Sequence, residues 1–155
     1  HGYILWENRM KAKQYGTIVI VSDLESTKKV DYRKEYPDCH VIGCEDAFSG
    51  DVDVVFSYDT DRQQEILKSG FCKSGVCNFM VSRPLAPPEK GYFGDGPDDM
   101  VVLLEEMPPM VTVQSYAFLI AYEICPDKIV MIGSGAEKAI EELRDTFGGS
   151  EIIER

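Results

Sequence analysis

Histidine and positive charge are both scarce in this chain. It has two histidines among 155 residues. With no Gly-x-Ser-x-Gly elbow and no His-Glu-x-x-His pair, a serine hydrolase with a histidine base and a zinc protease are both poor fits. No Walker A sequence occurs either. Sixteen basic residues against twenty-seven acidic ones leave a net charge of −11. So negative a surface opposes general nucleic-acid binding, whose affinity comes mainly from neutralising phosphates. A single nucleotide is compatible with it, because backbone amides and one or two lysines suffice to hold one. No apolar run approaches the roughly 18 residues that a membrane span needs, and no secretory leader pattern opens the sequence at His1. Five cysteines, an odd number spread along the chain, do not form a secreted disulfide framework. A cytosolic protein is expected. The spacings Cys39…Cys44 and Cys72…Cys77 are looser than a structural zinc knuckle, so zinc is not expected.

The stretch that organises the rest is 109–143. Apolar residues cover nearly every side of 110–124, as expected of a helix buried on more than one face. Pro126 ends it, since proline has no amide donor and bars its predecessor from helical dihedrals. Lys128-Ile129-Val130-Met131-Ile132 is a short β-branched run, the mark of a strand covered on both faces. Gly133-Ser134-Gly135 turns the chain, and 136–144 carries Ala139, Ile140 and Leu143 on one stripe. An interior helix, a doubly buried strand and an amphipathic helix imply α/β layers around a sheet.

Elsewhere, an amphipathic helix is expected over 3–15 and strands over 17–22, 39–43, 52–56 and 76–81. The segment 23–36 reads as loop or solvated helix. A helix over 60–68, capped by Asp59 or Thr60 and closed by Gly70, follows the third strand. Residues 82–99 hold four prolines and form a long loop of the kind that is usually functional or disordered. An edge strand over 100–104 and a last one over 151–153 complete a single domain. Two strands in succession without a helix between them suggest a mixed sheet, giving a three-layer α/β/α fold.

Four places offer chemistry. The loop after the first strand carries Ser22, Asp23, Ser26, Thr27, Lys28 and Lys29, and ligands of open α/β sheets bind beyond the carboxyl ends of strands. Its hydroxyls and ammonium groups suit a phosphate; a solvated loop with surface lysines is the alternative. Gly133-Ser134-Gly135 resembles part of a dinucleotide fingerprint, but the third glycine is missing and Lys138 stands in its place. The turn could offer amides to a mononucleotide phosphate or simply serve the backbone. Glu45 and Asp46, with Asp51 and Asp53 near in sequence, could hold magnesium beside a triphosphate, or form an ordinary acidic turn. Arg83, at the mouth of the long loop, could fork onto a phosphate or carboxylate, and the aromatics and glycines of 91–96 could close over a flat ring or form a dimer contact.

Three segments carry a family resemblance: GYILWENRMKAKQYG at the start, TIVIVSDLESTKK, and KIVMIGSGAEKAIEELRDTFGG near the end. In these the chain resembles the guanylyltransferases of methane-producing archaea that act in assembly of the iron-guanylylpyridinol cofactor of mononuclear-iron hydrogenase. The resemblance implies an inosine-triphosphate-pyrophosphatase-like fold, a homodimer, and transfer of GMP from GTP to a pyridinol hydroxyl with magnesium and release of pyrophosphate. The sequence has SDLESTKK where the pyrophosphatases usually show an asparagine before the lysine, a departure that bears on hydrolysis more than on nucleotide binding. On this reading Lys28, with Lys29 or Arg83, neutralises the triphosphate while Ser26, Thr27 and turn amides position it. The alternatives are a nucleoside-triphosphate pyrophosphatase, with Glu45 as its base, and a non-catalytic nucleotide- or metabolite-binding protein.

Overall fold

The computed structural model describes residues 16–57, 59–71, 78–82, 101–104, 112–144 and 149–155. Its centre is a seven-stranded sheet: β1 (Thr17–Val21), β2 (His40–Cys44), β3 (Val54–Phe56), β4 (Asn78–Ser82), β5 (Val101–Leu104), β6 (Lys128–Ile132) and β7 (Glu151–Glu154), in the order β5-β4-β3-β2-β1-β6-β7. All six pairings are parallel.

The alternation of side chains across a strand explains the layers. Ile18 and Ile20 of β1 enter one core, together with Ile129 and Met131 of β6. Val19 and Val21 enter the opposite core, with Val130 and Ile132. Both faces of the central strands are therefore covered, as a parallel sheet requires. On the first face lie α3 (Val113–Ile124) and α4 (Glu137–Arg144), through residues such as Phe118, Ile120 and Ile140. On the second lie Tyr32 of the single-turn α1 (Tyr32–Glu35) and the β2–β3 connection, through Ala47 and Val52. The helix α2 (Thr60–Ser69) follows β3, and the Asp59 carboxylate accepts the amides of Asp61 and Arg62 at its start, at 2.9 and 3.2 Å.

The expected mixed sheet is corrected to a parallel one. Residues 45–51, read from the sequence as an acidic turn, form a 3-10 turn (Glu45–Ser49) and the start of a return strap that brings β3 in beside β2 in the same direction. A parallel crossover usually takes a dozen residues or more. Here Gly43 permits a shorter one, because a Cβ at that position would lie 2.7 Å from Val52 Cγ1 and 3.1 Å from Ala47 Cβ. The segment 23–36 resolves into a 3-10 turn (Glu25–Lys28) and α1. The edge position expected for 100–104 is that of β5. The helix expected over 3–15, the loop after Ser82 with Arg83, and Cys72 and Cys77 lie outside the described residues. No helix among the described residues is long and apolar enough to cross a membrane.

Candidate functional site

From β1 the sheet order steps to β2, β3, β4 and β5 on one side, and then β6 returns to the other side of β1. The loops leaving β1 and β6 therefore diverge at their carboxyl ends. Such a switch point is where open α/β sheets place their ligands. Both loops singled out in the sequence, 22–29 and 133–135, stand here.

They are in direct contact. Ser22 donates its hydroxyl to the Ser134 carbonyl at 2.6 Å and its amide to the Ile132 carbonyl at 3.0 Å. Gly133 has φ +99°, in the left-handed region, and a Cβ there would meet Ser26 Oγ at 2.5 Å and Ser22 Oγ at 2.6 Å. Gln114, in the first turn of α3, donates Nε2 to the Ser22 carbonyl at 3.0 Å. Thr112 caps that helix by accepting the Ser115 amide at 3.1 Å, and the hydroxyls of Thr112 and Ser115 both donate to the Gly135 carbonyl. The start of α3 thus fastens both loops. Neither Thr112 nor Gln114 was among the expected site residues, although Thr112, three residues ahead of Ser115 and followed by an apolar run, was a legible start signal.

Several of the expected phosphate donors already have partners within the protein. Ser22 and Ser26 are buried. Ser26 donates both its amide, at 2.8 Å, and its hydroxyl, at 2.7 Å, to Asp23 Oδ1. The Thr27 hydroxyl donates to the Leu24 carbonyl at 2.6 Å. The Gly133 amide donates to the Arg155 carbonyl at 3.1 Å, and the Gly135 amide to Glu137 Oε2 at 2.8 Å. Lys28 and Lys29 are exposed, and Lys28 lies 3.8 Å from the exposed Glu25. Lys28 also borders an open cleft of about 260 Å³ that Tyr32 and Arg33 help to line.

Glu45 and Asp46 follow β2. Asp46 Oδ1 accepts the Leu24 amide at 3.0 Å, tying the two loops together. Glu45, at φ +53°, turns instead to Ser57 at the end of β3 and accepts its hydroxyl at 3.2 Å. Burial lifts the Glu45 carboxyl above its ordinary pKa; the Ser57 hydrogen bond works against this, while the Asp59 and Asp46 charges reinforce it. Asp46 and Glu45 thus each hold a different loop, Asp46 through Leu24 and Glu45 through Ser57. No group of three or more His, Cys, Asp or Glu among the described residues is arranged to hold a metal.

Asp51 and Asp53 belong to a separate network. Arg33 forks onto Asp51 at 3.0 and 3.0 Å and onto Asp53 at 3.1 and 3.1 Å, and Asp53 also accepts the Val41 amide at 2.9 Å. Burial works against the Arg33 charge, but the hydrogen bonds to Asp53 and Asp51 outweigh it and raise its pKa. Cys39 and Cys44 enter opposite cores, so they do not form a common metal pair.

No family model matches this chain, and no curated protein does. Among solved structures it is similar to the sialyltransferase CstII from Campylobacter jejuni, in complex with a substrate analogue, cytidine-5'-monophosphate. The likeness has a TM-score of 0.60 at 17% identity and covers 90% of this chain and 79% of that one. At that identity it bears on the fold, which is α/β.

Proposed function

We propose that this chain is a transferase that binds a mononucleotide in the crevice between the carboxyl ends of β1 and β6 and passes a group from it to a small acceptor. The observation that carries the reading is the convergence of 22–29, 133–135 and the first turn of α3 at the switch point. The similarity of fold to a sialyltransferase described with cytidine-5'-monophosphate supports both the nucleotide and the transferase class.

Two donors are consistent with it. From the sequence resemblance comes guanylyl transfer. In that reaction an acceptor hydroxyl, as on a pyridinol, forms a bond to the α-phosphorus of GTP, the bond to the β-phosphate oxygen breaks, and pyrophosphate leaves. Such chemistry relies on positioning and charge stabilisation. Exposed Lys28 and Lys29 supply positive charge to the leaving phosphates, and magnesium accompanies those phosphates. A second reading, favoured by the fold, is transfer of a sugar from a cytidine-linked donor. The inosine-triphosphate-pyrophosphatase-like subtype, the homodimer and the cytosolic location belong to the first reading.

Thermal shift with GTP, ATP, ITP, CTP and CMP, each with magnesium, tests the class and sorts the donors. A selective rise with GTP supports guanylyl transfer, and one with CMP or CTP supports the cytidine-linked donor. Indifference to all five contradicts the nucleotide site. Release of pyrophosphate from GTP without any acceptor makes the protein a pyrophosphatase. Binding without turnover on any acceptor makes it a nucleotide-binding protein.

A further inference from the structure

No further inference is drawn: the strongest candidate, the open cleft of about 260 Å³ beside the loop after β1, where Lys28, Asp31, Tyr32 and Arg33 stand, carries nothing, because the Tyr32 hydroxyl and the Arg33 guanidinium already donate to Asp51 and Asp53, Lys28 and Asp31 are exposed, and nothing in the structure shows what would fill it.

Discussion

The Asp46 carboxylate, just past β2, accepts the backbone amide of Leu24, just past β1, at 3.0 Å. A charged acceptor on an otherwise orphaned loop amide is worth about 1.5–3 kcal/mol. Asp46→Ala should therefore lower stability by roughly 1–3 kcal/mol, read as a lower melting temperature, with or without magnesium. The rival assignment, Asp46 as a metal ligand, gives the reverse pattern. Removing a charge from an acidic cluster would leave the metal-free protein as stable or more so, and would abolish a magnesium-induced rise.

At Gly133 the loops after β1 and β6 press together, with Ser22 and Ser26 where a Cβ would stand. Gly133→Ala places a methyl 2.5 Å from Ser26 Oγ at φ +99°. It should cost roughly 2–4 kcal/mol in denaturant unfolding. Gly70→Ala is the control, since its φ is +84° but nothing lies within 4 Å of the added carbon. That change should cost only about 1 kcal/mol. Equal losses at the two sites would show that backbone strain alone, and not the contact between loops, governs Gly133.

Glu45 sets a pH dependence. Its folded-state pKa is raised, chiefly by burial. The folded protein thus holds a proton that the unfolded chain releases, and stability from this group is present at low pH and lost as pH rises through the folded pKa. Glu45→Gln should accordingly be more stable than the parent at neutral pH. The gap should shrink as pH falls through the ordinary carboxylate range. A gap that grows toward low pH would contradict the burial assignment.

The fork of Arg33 onto Asp51 and Asp53 needs a planar guanidinium. Arg33→Lys keeps the charge but not the geometry. It should cost about 1–2 kcal/mol and lose stability nearly as far as Arg33→Ala. Full retention of stability by the lysine variant would reduce the network to simple charge.

Much of the fold was legible where one local signal dominated. The runs Ile18 to Val21 and Ile129 to Ile132 read as strands because every position is apolar, the second as one covered on both faces, and both lie at the centre of the sheet. Asp59 marked the start of α2 through a short acceptor three residues ahead of the amide it holds. The direction of β3 was not legible, because it depends on how tightly 45–53 packs over Gly43, a contact that no periodicity records. The site divides in the same way. That 22–29 and 133–135 both follow strands was legible, whereas the commitments of Ser22 and Asp46 depend on partners 112 and 22 residues away. Gln114 was hidden for that reason too, lying on a helix that otherwise reads as core.

The most direct test of the central claim is to follow backbone amide resonances while CMP, and separately GTP, is titrated in. The account predicts that shifts concentrate in 22–29, 133–135 and the first turn of α3, at the carboxyl ends of β1 and β6. Shifts confined to the opposite end of the sheet, around Gly16 and Asp127, or no shifts at saturating ligand, would contradict it.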